Sequence, residues 1–405
     1  MSLTRRTLLG SAAAAAALPA APRARAQQTS IKIGVLNDMS GPYRDLGGLH
    51  DVACVKQAVQ EFGPKGFNVD VIFADHQNKP DIGAGIARQW FDRDGVDMII
   101  DVNTSSVALA VNQVCAEKNG AYVNVGAATT DLTGRQCTPV TIHWSYDNYM
   151  LAKSTGGAMV KAGGTTWYFI TADYVFGKQL EANTTRFVNE AGGKVLGSSL
   201  YPFPGTTDFS SFLLSAQSSG AKVLGLANAG ADTVNSIKQA AEFGLKKTMK
   251  VAALLMFITD VHGVGLETAQ GLVLTESFYW DLNDGTRAFT SRIKSKMAPF
   301  YPNMVNAGCY SGALHYLKAI ADLGAAKARD GKAAIERMKA MPTEDECFGK
   351  TRVRGDGLLL VPSYLFEVKA PAESKGPWDY YKLLATTPAG QAFEPPDAAC
   401  QLNHA

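Results

Sequence analysis

The chain lacks the short motifs that announce catalysis. Among its 405 residues there is no G-x-x-x-x-G-K-[ST], no H-E-x-x-H and no C-x-x-C. Their absence excludes a P-loop nucleotide site, a helix-borne zinc protease site and the usual zinc or thioredoxin-type thiol pair. Histidine is scarce: His50, His76, His143, His262, His315 and His404 are far apart, and none shows i, i+4 ligand spacing. Gly308-Cys-Tyr-Ser-Gly312 sets its serine one place too late for a nucleophile elbow. Charge of one sign is also missing, with 39 Lys plus Arg against 37 Asp plus Glu. Nucleic-acid binders need a basic face, and the Trp and Tyr residues do not interleave with basic clusters, so no single-strand stacking platform is expected. No segment reaches the ~20 apolar residues of a membrane-spanning helix without charges or Gly/Pro interruptions. A hydrophobic share of 46% leaves no room for a disordered chain. No enzyme, cofactor or metal site is expected from this inventory.

What is present begins with an address. Arg5 and Arg6 precede an uncharged stretch, residues 8–21, which ends at Ala24-Arg25-Ala26. A charged start, a short apolar middle and a small-residue exit predict a cleaved export signal, here of twin-arginine type, over residues 1–26. The expected compartment is a bacterial periplasm. Removing Arg5, Arg6, Arg23 and Arg25 from the 39 leaves 35 basic against 37 acidic residues, a mildly acidic mature chain. Cys54, Cys115, Cys137, Cys309, Cys347 and Cys400 all lie in it. Six cysteines allow fifteen full pairings in an oxidising compartment, and buried free thiols are the alternative for each.

The rest alternates. Strands are expected at 31–36, 67–74, 96–102 and 121–125, with helices at 47–62, 82–93 and 105–118 between them. The pattern restarts with helices at 149–162, 178–191, 209–218 and 231–243, and strands at 166–171, 194–201, 222–227 and 250–255. Long helices follow at 284–301 and 307–323, a shorter one at 332–341, and then a strand- and Pro-rich tail. Strands about 30 residues apart imply parallel βαβ units, and continuous apolar runs such as Met98-Ile-Ile100 imply sheets covered on both faces. The fold class is therefore α/β, with two Rossmann-like lobes and a cleft between them as the natural ligand site.

Two strand-to-helix junctions carry unusual polarity: Asn103-Thr-Ser105-Ser106 and Ala127-Ala128-Thr129-Thr130. In a parallel sheet both emerge at the carboxyl edge, where ligands bind. Free N–H groups at a helix start, with Ser or Thr hydroxyls, form a receptor for a carboxylate. Plain N-capping by Ser105 or Thr129 is the competing role.

Ile31-Lys-Ile-Gly-Val-Leu-Asn-Asp-Met-Ser-Gly-Pro-Tyr43, the Val96-Asp-Met-Ile-Ile run leading to Ser105-Ser106, Gly126-Ala-Ala-Thr129 with Asp131-Leu-Thr133, Asp173-Tyr-Val-Phe-Gly177 and Trp378-Asp-Tyr-Tyr381 together resemble the periplasmic leucine/isoleucine/valine-binding family. The resemblance covers the whole mature chain. It implies a type I solute-binding protein of an ABC importer, with two lobes joined by three crossovers. Lobe one would be 27–146 plus 277–357, and lobe two 147–276 plus 358–405. It implies a monomer that captures a small molecule by closing and hands it to an inner-membrane permease, without a cofactor. Ser106 or Ser105, Ala127 and Thr129, with Ala128 between, match positions that hold the ligand's carboxylate. Phe176 falls where amino-acid binders have an aromatic, and Asn228 where another contact is presented. Those binders place a Glu after the strand near 255, to pair with the α-ammonium, whereas here the residues are Leu254-Leu255-Met256-Phe257. Asp232 and Asp260 are the available substitutes. A buried ammonium without a partner is costly. With the local series Ala74-Asp-His-Gln-Asn-Lys79, this favours a carboxylate with an aromatic or aliphatic body, stacked on Tyr43, Tyr174, Phe176 or Phe257. A branched-chain amino-acid binder and a ligand-sensing subunit of the same fold are the alternatives, followed by a periplasmic enzyme.

Overall fold

The structure, a computed structural model, describes residues 29–63 and 66–404. The expected export signal, residues 1–26, lies outside them. No helix among the described residues is long and apolar enough to cross a membrane.

The first lobe is built on five parallel strands, β1 (Thr29–Asn37), β2 (Phe67–Asp75), β3 (Met98–Asp101), β4 (Ala121–Asn124) and β5 (Thr141–His143), in the order β2-β1-β3-β4-β5. Helices α1 (Gly48–Phe62), α2 (Pro80–Gln89) and α3 (Ser105–Lys118) make the crossovers. Central strands β3 and β4 are buried at every position, whereas edge strand β2 has no fully buried position and exposes Phe73. That contrast is what a sheet covered on both faces gives to a central and an edge strand.

The chain then crosses to a second, seven-stranded sheet. Its elements are α4 (Asn148–Lys161), β6 (Thr166–Ala172), α5 (Val175–Glu190), β7 (Lys194–Tyr201), α6 (Ser210–Ser218), β8 (Val223–Ala227), α7 (Ala231–Glu242), β9 (Lys250–Ala253), α8 (Ile258–Val264), α9 (Leu266–Ala269) and β10 (Val273–Glu276). A second crossing brings α10 (Asp284–Met297), α11 (Met304–Leu323) and α12 (Gly331–Ala340) back to the first lobe, where α10 and α11 pack on α1. A small antiparallel sheet, β11 (Thr343–Asp345), β12 (Gly349–Val353) and β13 (Leu359–Leu360), leads into the third crossing. Strands β14 (Ser363–Val368) and β15 (Tyr381–Thr387) then extend the second sheet antiparallel, giving β15-β14-β10-β9-β8-β6-β7.

Beyond β15 the chain does not stay on the second lobe. A short helix α13 (Ala389–Ala392) packs on α4, and Glu394 pairs with Arg186 of α5 at 2.9 Å. The Glu394 carbonyl then accepts from Arg354 at 2.7 Å, and Cys400 forms a disulfide with Cys137 in the loop before β5. The segment placed with lobe two on sequence grounds, 358–405, thus ends fastened to lobe one. Cys54, Cys115, Cys309 and Cys347 are free and buried, so one of the fifteen-pairing framework's bridges is formed and four thiols remain core residues.

Candidate functional site

Seven loops meet where the carboxyl edges of the two sheets face each other. The one after β1 is folded around a single side chain. Asp38, fully buried, accepts from the N–H of Gly41 at 2.7 Å, the N–H of Tyr43 at 2.8 Å and the amide of Asn78 at 2.7 Å. These bonds fix the turn that carries Tyr43 into the cleft.

The junction after β3 is strained. Asp101 and Val102 have φ of 82° and 59°, left-handed values that cost a side chain-bearing residue about 1–3 kcal/mol each. The following Asn103 is held by its Oδ1, which accepts from Asp38 N–H at 3.0 Å. Its Nδ2 is buried and has no hydrogen-bond partner among the described residues. Thr104, the N-cap of α3, makes no side-chain capping bond to the helix; its hydroxyl is turned to Asn78 instead. The first turn of a 14-residue helix therefore presents its N–H groups uncapped, with one buried amide donor beside them. The β4 junction comes equally close. A Cβ on Gly126 would lie 2.4 Å from Asn103 Cβ, so only glycine permits the approach.

The second lobe contributes Tyr174, the N-cap of α5, with Phe176 in its first turn, Ala229 after β8 and Leu255 after β9. With Tyr43, Ser105 and Ala128 they line a narrow crevice whose free space is about 10 Å³, completed by Leu46, Asn103, Gly126 and Tyr146. The Tyr43 and Tyr174 hydroxyls are 2.6 Å apart across the cleft, and burial raises both phenols above their usual range, so they are hydrogen-bonding hydroxyls, not phenolates. Tyr146 donates to the Gly126 carbonyl at 2.6 Å. The wall contains no acidic side chain, and Leu255 occupies part of it.

Five of the candidates from the sequence thus meet at the cavity: Tyr43, Ser105, Ala128, Tyr174 and Phe176. The other six stand off it. Ser106 is half-buried one position along α3. The Ala127 carbonyl accepts from His143 Nε2 at 2.7 Å. Thr129 accepts from Asp131 N–H at 3.3 Å, capping a single helical turn, which was the competing role for that hydroxyl. Asn228 is satisfied by the start of α7, through Thr233 at 2.7 Å and Ser236 at 3.1 Å. Phe257 packs edge-on behind Tyr146, and Asp260 accepts from Phe257 N–H at 2.9 Å to cap α8. Asp232, the other substitute acid, accepts from Tyr201 at 2.8 Å, and burial raises it to about 6.

One group of potential metal ligands occurs among the described residues: Asp51, Asp101 and Cys309, all buried behind the cavity. Asn37 donates to both carboxyls, at 3.2 and 2.8 Å, and Asn306 to Asp51 at 2.7 Å. Burial raises Asp101 to about 6, and burial plus the neighbouring Asp101 pushes Asp51 up. Two carboxyls bridged by amides in this way share protons and hold β1, α1 and α11 together.

Sequence reasoning missed Leu46, Tyr146, Ala229 and Phe203, which stacks on Tyr174 with centroids 4.5 Å apart. An aromatic residue between two prolines, Pro202-Phe203-Pro204, just after a strand was the available signal.

Comparison with known proteins agrees with this fold. A family model described as "periplasmic binding protein" matches residues 30–377. The chain is similar to a periplasmic binding protein from Burkholderia mallei, with 51% identity and a TM-score of 0.88 over 92% of this chain and 99% of that one. It is also similar to a branched chain amino acid ABC transporter periplasmic ligand-binding protein from Burkholderia xenovorans, with 38% identity and a TM-score of 0.78 over 90% and 97%. A Rhodopseudomonas palustris ABC-transporter solute-binding protein, solved in complex with benzoate, shares the fold at 19% identity and a TM-score of 0.81, over 92% and 99%.

Proposed function

The chain belongs to the periplasmic binding protein family, and from that premise we propose that it is the solute-binding component of an ABC importer whose cleft captures a small carboxylate with an aromatic or aliphatic body. One observation carries the reading. The uncapped start of α3 and Asn103, whose buried amide nitrogen has no partner among the described residues, line a cavity whose remaining wall is apolar and aromatic. Donors without acceptors at a helix N-terminus suit an anion, and a wall without acid leaves an α-ammonium no partner. Leu255 supports this on the second lobe.

In this reading the open protein takes the carboxylate on lobe one, at Ser105 and Ala128. Lobe two then rotates about the three crossovers and seats Tyr174, Phe176 and Leu255 on the apolar body. The closed shape is what an inner-membrane permease reads. The Arg5-Arg6 segment serves as a twin-arginine export signal cleaved near Ala26, placing a monomeric carrier in the periplasm.

A branched-chain amino acid is the second reading. The Burkholderia xenovorans relative's name favours it, and Asp232 beside Tyr201 is the carboxylate that would have to receive the ammonium. A thermal-shift screen of benzoates, phenylalkanoates, short fatty acids and amino acids separates the two. A ligand at 100 times its dissociation constant stabilises by ~2.7 kcal/mol. Carboxylates without an amine are expected to give the largest shifts; larger shifts from leucine, isoleucine or valine would overturn the proposal.

A further inference from the structure

Two rings of the cavity wall, one from each lobe, share a third ring behind them. Tyr43, on the first-lobe loop organised by Asp38, and Tyr174, on the second lobe, line the wall and touch through their hydroxyls at 2.6 Å. Phe203, in the loop after β7, does not line the cavity but stacks on both. Its ring lies 4.5 Å from Tyr174 at an interplanar angle of 14°, and 5.2 Å from Tyr43 at 28°. A second cross-cleft contact acts on the same loop. The Pro42 carbonyl accepts from Ala231 N–H at 2.9 Å, at the start of α7. It lies over Gly230, whose φ is +58° and where a Cβ would stand 2.4 Å from the Pro42 oxygen.

We propose that Phe203 is a positioning residue that sets the length of ligand the cleft accepts: it pins Tyr43 and Tyr174 as the closed end of the cavity. The inference deepens the carboxylate reading and rests on it. Without that ring the two tyrosines lose the stacking partner they share, and their side chains can swing outward, lengthening the cavity towards the β7 loop. Gly230 has a different part. It lets the Pro42–Tyr43 loop dock at all, whatever the ligand.

The test compares wild type, Phe203→Ala, Phe203→Leu and Gly230→Ala by calorimetry, on full-length mature protein whose folding is checked by circular dichroism. The probes are benzoate, phenylacetate, 3-phenylpropionate and 4-phenylbutyrate, then butyrate, hexanoate and octanoate, then valine, norleucine and phenylalanine. In Phe203→Ala the longest member of the bound series is expected to gain at least tenfold in affinity relative to the shortest. Phe203→Leu should fall between that variant and wild type. Gly230→Ala should weaken every member by the same factor. Unchanged length ranking in both Phe203 variants would overturn the proposal, as would a length shift in Gly230→Ala equal to that in Phe203→Ala. If wild type binds only the amino acids and the length shift appears there, the carboxylate reading fails while the role of Phe203 stands. A wild type that binds none of the three series overturns both.

Discussion

The hydroxyls of Tyr43 and Tyr174 meet at 2.6 Å across the cleft, joining a loop of the first lobe to the N-cap of a helix in the second. Neither residue has a partner of this kind within its own lobe, so the bond exists only when the cleft is shut. Tyr43→Phe removes it and keeps the ring. A net hydrogen bond is worth about 0.5–1.5 kcal/mol, so affinity for the ligand should fall by roughly two- to twelvefold, while the melting temperature of the unliganded protein changes little. Calorimetry and a thermal melt read the two quantities.

Asn103 provides a sharper probe of the anion site. Asn103→Asp keeps the oxygen that accepts from Asp38 N–H but replaces the unpartnered Nδ2 by a second oxygen. A carboxylate ligand would then meet an acceptor, and a charge of its own sign, in place of a donor. Loss of a bond to a charged group costs about 1.5–3 kcal/mol, so binding should weaken by at least tenfold, with partial recovery below pH 5 as the new acid protonates. A variant that binds a carboxylate as tightly as wild type at pH 7 would remove the amide from the site.

Glu276 makes stability depend on pH. It is buried at the second crossing, accepting from Tyr381 at 2.8 Å, and burial raises it from 4.5 to about 8, with the Asp260 charge adding to the effect. The folded state therefore holds a proton that the unfolded chain releases above pH 4.5. Its contribution is complete below that pH and is lost as pH rises towards 8, by up to about 1.4 kcal/mol per unit. Glu276→Gln cannot ionise. The stability of this variant relative to wild type should rise steadily from pH 5 to 8 in urea titrations; a constant difference over that window would contradict the assignment.

The Cys137–Cys400 bridge should be worth about 2–4 kcal/mol through restriction of the unfolded chain. Cys400→Ser, or mild reduction of wild type, is expected to lower the unfolding free energy read from urea titrations by that amount. Reduction should have no further effect on the variant, because Cys137 has lost its partner and the other four cysteines are buried free thiols, so no disulfide remains.

Much of the architecture was legible because period and burial agree. The helix read at 105–118 and the strand at 194–201 coincide with α3 and β7 to the residue. Strands β5 and β10 escaped notice because three or four residues carry no periodicity. The disulfide could not be chosen from fifteen pairings, since its partners are 263 residues apart. The site was legible as junctions and only partly as side chains. Sequence placed Thr129, Asn228 and Asp260 at the right strand ends but could not show that each hydroxyl, amide or carboxylate is spent on a nearby turn. Leu255, read as an apolar residue where amino-acid binders of the family place an acid, lines the cavity. Phe203 reaches the site only through two other rings, and no local pattern encodes such an indirect contact.

The three connections following β5, β10 and β13, and the tail after β15 that returns to the first lobe, all fall between Cys137 and Cys400. The bridge therefore makes a closed covalent ring that passes through both lobes. A protease that nicks one of these connections opens the ring without dividing the molecule. The nicked protein would run as a single species on a denaturing gel and part into two fragments only when thiol is added.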